Sequence, residues 1–345
     1  MLHIKQLTMA VVCLWAATAM AKGDVRPPIT LPLVHDPVLA YEDGTYHVFS
    51  TGHYITELTS TDLRSWRMVE GGVLEGRLPA WTRDSVPGFN THVWAPDVVR
   101  YRDRWYMAYS CSTFGKNTSA IGLASANSLD RPGAWRDEGC IITSREGRDN
   151  WNAIDPNFVF DRQQQPWLTY GSFWDGIQLV PLDTTLHILP GSRPVTIARR
   201  HLPGTVARQN PTSQNAGTNA IEAPFIFQRK GWYYLFVSHD YCCQGLKSDY
   251  HVVVGRSRNI AGPYLDREGR RLDEGGGTMV FGGDGKVFEA AGHCSVYRVP
   301  RPGSNGRRWA DYFLCHGYSI AQEGMPQLVV KGIKWKRGWP TLVDL

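Results

Sequence analysis

No stretch of this 345-residue sequence reaches the roughly 20 consecutive apolar residues that a membrane-spanning helix requires. No apolar pattern of period 3.6 is sustained either, so any helices are expected to be short. The cysteines never recur as Cys-x-x-Cys, which argues against a zinc ribbon. There is no His-Glu-x-x-His, no nucleophile elbow and no phosphate-binding glycine loop. One-sided charge is lacking too, since the formal net charge of +5 is dispersed along the chain. Its densest cluster, Lys334-Trp335-Lys336-Arg337, is too short to imply nucleic acid and reads as a solvated strand end.

What is abundant points the other way. Aromatics make up 12% of the residues, with 35 glycines and 21 prolines, the composition of a chain of short strands and many turns around a large core. At the N-terminus, Lys5 leads into an apolar run from Leu7 to Ala19, and Ala19-Met20-Ala21 offers small residues where a signal peptidase reads. Residues 1–21 are therefore expected to be a cleaved signal peptide, and residues 22–345 a single domain of a secreted, extracellular or periplasmic protein. Cys13 leaves with the signal. The six remaining cysteines, Cys111, Cys140, Cys242, Cys243, Cys294 and Cys315, allow fifteen pairings, among which sequence does not choose. Adjacent Cys242-Cys243 is either a vicinal bridge or two thiols facing apart.

Five segments share one plan. Each begins with a polar or charged residue at a strand entrance, usually beside a proline: His35-Asp36-Pro37, Ala95-Pro96-Asp97, Asp155-Pro156-Asn157, Glu222-Ala223-Pro224 and Gly292-His293. They recur at roughly 60–70 residues, a regularity that marks a repeat architecture. After each comes a β-branched or aromatic run, a turn such as Glu42-Asp43-Gly44, and a strongly aromatic strand such as Trp232-Tyr233-Tyr234-Leu235-Phe236. Third and fourth strands follow, for example around Ala120–Ala124 and Trp135–Glu138. Four strands per unit and five units describe an all-β, five-bladed β-propeller with four-stranded blades around a central channel. A β-sandwich is the alternative, but it does not explain five alike units.

In a propeller the first strand of each blade lines the channel, so residues at one strand end converge on one face. Asp36, Asp155 and Glu222 are expected at equivalent axial positions of units one, three and four. Aspartate before proline is also an ordinary turn residue. Gathering three carboxylates nevertheless costs electrostatic energy that a merely structural site would avoid. Glycoside hydrolysis wants such a group: one carboxylate stays ionised, and another holds a proton raised toward neutral pH by its neighbours. Trp94, Phe114, Trp151, Phe173 and Trp174 cluster beside the strand entrances as candidate sugar platforms, with Asn152 and Ser172 as neutral partners, although most propeller aromatics pack between blades.

At these residues the sequence resembles glycoside hydrolase family 43, and within it the arabinanases. The resemblance covers nearly all of the mature chain and rests on Val34-His35-Asp36-Pro37, His92-Val93-Trp94-Ala95-Pro96-Asp97, Phe114-Gly115-Lys116-Asn117, Asn152-Ala153-Ile154-Asp155-Pro156, Gly171-Ser172-Phe173-Trp174, Ile221-Glu222-Ala223-Pro224, Cys242-Cys243-Gln244-Gly245, Gly275-Gly276-Gly277-Thr278 and Gly292-His293. It implies an inverting hydrolase of the α-1,5-L-arabinofuranosidic linkages of arabinan, endo-acting. Asp36 would be the general base, Glu222 the general acid, and Asp155 the residue that raises the pKa of Glu222 and orients it. Substrate contacts would include Asp36, Trp94, Phe114, Gly115, Asn152 and Ser172. A calcium ion is implied in the channel near His293, held mostly through waters, with His316 a lesser second contact and no organic cofactor. Partners would be arabinan and arabino-oligosaccharides, met by a monomer with no nucleic acid and no membrane.

One departure and two rivals accompany this reading. Cys294 stands where a small neutral residue is expected, and Cys315 in the next strand makes a Cys294–Cys315 bridge conceivable. The sequon Asn117-Thr118-Ser119 lies in an expected substrate loop. An exo-acting arabinofuranosidase or β-xylosidase shares the Asp/Asp/Glu set, and a non-catalytic carbohydrate-binding propeller shares the fold. Fructan-cleaving propellers begin Asn-Asp-Pro, which is missing here.

Overall fold

The computed structural model describes residues 27–130, 133, 135–200 and 219–345; the expected signal peptide lies outside them. Each turn signal closes an antiparallel hairpin, and the strands assemble in chain order into five sheets. Blade 1 comprises Val38–Glu42, Thr45–Ser50, Thr56–Ser60 and Arg67–Met68. Blade 2 comprises His92–Tyr101, Arg104–Cys111, Ser119–Ala126 and Arg136–Ser144, with the short strand Gly52–His53 added to its inner edge. Blade 3 comprises Asn157–Phe160, Pro166–Tyr170, Ile177–Pro181 and Val195–Ala198. Blade 4 comprises Ile221–Arg229, Trp232–His239, His251–Ser257 and Thr278–Phe281. Blade 5 comprises Phe288–Pro300, Trp309–Ser319, Met325–Lys336 and Trp339–Val343. The α-helix among the described residues, Trp81–Ser85, has five residues, in keeping with the absence of helical periodicity.

The first strands pack on one another in sequence, blade 1 on 2 through 5 on 1, and so close a ring. Closure is reinforced where the segment before blade 1 meets the third strand of blade 5: Val34 N–H donates to Pro326 O and Leu328 N–H to Pro32 O. Between neighbouring blades lies one apolar layer each, and these layers are the core. Phe49, Trp105, Tyr109 and Trp135 fill that between blades 1 and 2, and Phe236, Val254, Phe313 and Trp339 that between 4 and 5. Both faces of each sheet are thus buried, which is why the strands read as nearly continuous apolar runs. Truncating a fully buried phenylalanine such as Phe236 to alanine should cost about 3–5 kcal/mol.

One backbone device repeats at every strand entrance. Asp36, Ala95, Asp155, Ala223 and His293 all take left-handed backbone, with φ of 55, 42, 57, 55 and 50°. That conformation costs an L-residue roughly 1–2 kcal/mol and persists because neighbours hold it. The N–H of each donates to a side chain of the preceding blade: Ala95 to Thr51 Oγ1 at 2.7 Å, Asp155 to Ser110 Oγ at 3.0 Å, Ala223 to Asp155 Oδ2 at 3.1 Å, His293 to Ser238 Oγ at 2.9 Å, and Asp36 to His316 Nδ1 at 3.2 Å. Proline follows four of the five, and Cys294 follows the fifth.

This alignment refines the expected equivalences. Asp36 and Asp155 match, but the matching residue of blade 4 is Ala223, so Glu222 projects from one position earlier. In blade 2 it is Ala95. Asp97, two residues later, turns between blades, where Oδ2 accepts from Phe158 N–H at 2.7 Å and from Asn157 Nδ2 at 3.2 Å. Asn157 in turn accepts from Ile226 N–H at 2.8 Å. Asp97 is therefore a strut of the ring.

The cysteines bear on pairings that the sequence left open. All six described cysteines are free thiols. Cys294 and Cys315 lie in the apolar layer between blades 4 and 5 as small packing residues, so the conceivable bridge is not formed. Asn117 of the sequon is 1% exposed, and its amide nitrogen donates to Asp149 O and Trp151 O, which withdraws it from glycan attachment.

Candidate active site

Four side chains gather around Asp36. His35 Nδ1 lies 2.7 Å and His293 Nδ1 3.0 Å from Oδ1, while Thr51 Oγ1 donates to Oδ2 at 2.5 Å. His316 Nδ1 is 3.6 Å from Oδ1 and accepts the Asp36 N–H, so its ring must present an unprotonated Nδ1. Burial would raise the Asp36 pKa, but the charges of His293 and His35 override it and hold the carboxyl well below its ordinary range. Burial likewise works against a proton on His293, yet the Asp36 charge lifts it to about 9. His316, buried beside two other histidines, is pushed well below its usual value and stays neutral. His35 is likewise raised well above its ordinary value, against burial, by the Asp36 charge, so an ionised carboxylate sits between two cationic imidazoles, with a neutral third beside it.

Opposite stand Asp155 and Glu222, both buried. Asp155 spends Oδ2 on the N–H of Ala223, the residue after Glu222, and that bond draws the two carboxyls together. Ser172 Oγ donates to Glu222 Oε2 at 2.8 Å. The buried Tyr250 hydroxyl faces the same carboxylate, too loosely for a hydrogen bond of ordinary geometry. Gly292 makes this approach possible, since a Cβ there would fall 2.0 Å from the Tyr250 ring. Both carboxyls are pushed up, first by burial; Glu222 adds to the rise of Asp155, and the nearby Cys243 sulfur to that of Glu222. Two buried carboxyls in this state hold a proton jointly near neutral pH.

The channel therefore presents one fixed carboxylate anion and, across from it, a carboxyl pair loaded with a proton. Hydrolysis of an acetal needs this combination.

The expected sugar contacts divide. Phe114 is 79% exposed, and Gly115 beside it is open as well. Trp94 is half-buried and donates from Nε1 to His92 Nδ1. Phe173, also half-buried, tilts against Tyr241 with ring centroids 5.7 Å apart. Ser172 meets Glu222 directly. Asn152 is buried and braces the Phe114 loop, accepting from Ser119 Oγ at 2.7 Å and donating to Lys116 O at 3.3 Å. Trp174 is a packing residue, buried at 6% exposure. His35, Thr51 and Tyr250 are site residues that sequence reasoning passed over. The signal for His35 was its place directly before Asp36 at a blade entrance.

Among the described residues, the group whose ligand atoms all lie within 4.8 Å of one another is His35, Asp36 and His316. These atoms are turned on each other by the contacts above, and two imidazoles with one carboxylate are a poor set for calcium, which takes six to eight oxygens. His293, the expected calcium contact, stands outside that group.

Comparison with known proteins agrees with this geometry. The family model for glycosyl hydrolases family 43 matches residues 25–340. The chain belongs to glycosyl hydrolase family 43. Among curated relatives, it is 38% identical over 312 residues to the extracellular exo-α-(1→5)-L-arabinofuranosidase ArbA of Cellvibrio japonicus, covering 89% of this chain and 85% of that protein. It is also 38% identical over 315 residues to the extracellular endo-α-(1→5)-L-arabinanase 1 of Bacillus subtilis, covering 90% and 87%. The crystal structure of an exo-1,5-α-L-arabinanase from a bovine ruminal metagenomic library superposes with a TM-score of 0.81 at 44% identity, covering 91% of this chain and 98% of that one.

Proposed function

We propose that this family 43 enzyme is a secreted, inverting hydrolase of the α-1,5-L-arabinofuranosidic linkages of arabinan, with endo action. The observation that carries the reading is Asp36, bonded to His35 and His293, facing the buried Asp155/Glu222 pair, whose carboxyls burial pushes up. Asp36 takes a proton from water as general base. Glu222 protonates the departing sugar oxygen, held by Ser172 and neighboured by Asp155, which keeps its proton in place. Trp94, Phe114, Gly115 and Phe173 lie on accessible surface where a furanose chain can rest, while Asn152 and Trp174 shape the site from beneath. Relatives named for 1,5-linked arabinan support the linkage, and their extracellular names support secretion. One chain closes the ring and supplies the whole site, which supports a monomer. Calcium, in this reading, rests as a hydrated ion at the imidazole of His293. An ion there would require the ring to give up the Nε2 proton of its cationic form while Nδ1 stays on Asp36.

Digestion of linear arabinan and xylan side by side tests the activity, with release from arabinan alone expected. Hydrolysis of xylan alone would overturn it. The Cellvibrio relative favours an exo reading at the same identity as the endo-acting Bacillus one. Product sizes separate the modes: early mixed oligosaccharides with a rapid fall in viscosity mark endo action, and a single short product from the start marks exo action.

A further inference from the structure

One nucleophile at the channel has no bond-making role in the chemistry above, although its charge adds to the raised pKa of Glu222. Cys243 is exposed, on the loop between the second and third strands of blade 4, in left-handed backbone at φ 66°. Its N–H donates to Tyr318 Oη at 2.7 Å, and the same hydroxyl lies 3.0 Å from His35 Nε2. The Cys243 sulfur is 3.8 Å from that Nε2, while Nδ1 of the same ring holds Asp36. Cys242 adjoins it but packs inward with Tyr250, Ala290 and Tyr318. The thiol is thus anchored through both backbone and side chain to the imidazole that orients the proposed base, and its charge is felt at Glu222 across the channel.

We propose that Cys243 is a covalent modification site for soft electrophiles, and that an adduct there blocks the channel. In the reaction the sulfur displaces the leaving group of an alkylating agent. With iodoacetamide, an S–C bond forms, the C–I bond breaks and iodide departs. The proton of the thiol is lost to solvent before attack, since the Cys242 thiol and then His35 pull the Cys243 pKa down to about 5 against burial. Cys140 is pushed up to about 11, and Cys111, Cys242, Cys294 and Cys315 are raised too, burial leading in every case but Cys242, where the hydrogen bond to Cys243 comes first. Thiolate is the reactive form, and an electropositive, exposed setting is what distinguishes a reactive cysteine from an inert buried one. A lowered pKa also weakens the nucleophile, which limits the gain. The adduct would stand over His35 and between the two sides of the site, where the sugar must lie.

The loss of activity rests on the proposed arabinan hydrolysis, whereas the labelling does not. The folded full-length protein is treated with iodoacetamide for increasing times, peptides are mapped by mass spectrometry, and arabinan hydrolysis is followed in parallel. Cys243 should label at least about tenfold faster than each other cysteine, activity should fall in step, and arabino-oligosaccharide should slow both. Cys243→Ser should resist the reagent whatever its own starting rate, while Cys242→Ser should stay sensitive. Equal labelling rates, full labelling with activity retained, or undiminished inactivation of Cys243→Ser would each overturn the proposal. Absence of arabinan hydrolysis before any treatment would instead strike the functional reading, and the labelling rates would still decide whether Cys243 is the reactive thiol.

Discussion

His293 Nδ1 stands 3.0 Å from Asp36 Oδ1, joining the last blade to the first at matching left-handed positions. The contact fixes which carboxylate of the channel is the anion. A cationic imidazole on either side holds Asp36 ionised, while Asp155 and Glu222, farther along the ring, are left to share a proton. Asymmetry of this kind, built from environment and not from residue type, is what separates base from acid in a two-carboxyl hydrolase.

Asp36→Asn keeps the shape and removes the base. Turnover on arabinan is expected to fall at least about 10³-fold, at or beyond the middle of the range for loss of a general base. Binding of arabino-oligosaccharide, measured by calorimetry, should persist. A variant retaining more than about a tenth of the rate would remove Asp36 from the role.

Glu222→Ala should separate leaving groups. A sugar alkoxide cannot depart without a proton, and its release should slow by roughly 10²–10⁴-fold. An aryl arabinofuranoside with an acidic phenol should lose far less, provided the wild type accepts it. Equal losses on both would make Glu222 a positioning group.

Asp155→Asn tests the shared proton. The acid must be protonated, so kcat is expected to fall as pH rises through the upper pKa of the pair, which burial and mutual repulsion have raised. Asparagine still accepts the Ala223 N–H but carries no charge. Glu222 then ionises at lower pH, and the alkaline limb of kcat should move down by roughly one unit. An unmoved limb in the pH profile would deny Asp155 its effect on Glu222.

How much of this was legible follows from which contacts are local. Asp36 and Asp155 could be placed because a proline and a repeating strand pattern mark each blade entrance. Glu222 came one position out of register, since Ala223 carries no chemistry to show that it holds the left-handed turn. Asp97 stood only among the polar blade starts, and its role as a strut lies in bonds to Phe158 and Asn157, which a neighbouring blade supplies. The set around Asp36 was least visible: Tyr318 lies 283 positions from His35, and only closure of the ring brings them together. Free cysteines in an expected secreted chain were equally beyond reach, because pairing depends on where the strands put each sulfur.

Chelation tests the calcium reading with two signals. A ligand that binds only the folded state stabilises it by mass action, by about 2.7 kcal/mol at a hundredfold excess over Kd. Prolonged treatment with a strong chelator should therefore lower Tm as well as activity, and added calcium should restore both. Unchanged Tm and activity after metal analysis confirms its removal would leave His293 as the cationic partner of Asp36 alone.

Stereochemistry tests the arrangement of the site beyond its residues. If Asp36 activates water, that water must fit between it and the anomeric carbon, which calls for a separation from Glu222 of roughly 6.5–9.5 Å, whereas a nucleophile and its acid sit about 5–5.5 Å apart. Asp36 enters from blade 1 and Glu222 from blade 4, across the channel, which suits the wider spacing. Both Asp36 oxygens are also engaged, Oδ1 by His35 and His293 and Oδ2 by Thr51, so attack on carbon would break contacts that proton transfer from water can keep. Hydrolysis of an α-linked arabino-oligosaccharide should then release the β-anomer first, visible by proton NMR before mutarotation. An initial α-anomer, or a glycosyl adduct trapped on Asp36, would show that Asp36 is a nucleophile and that the water-activating geometry argued for this channel is wrong.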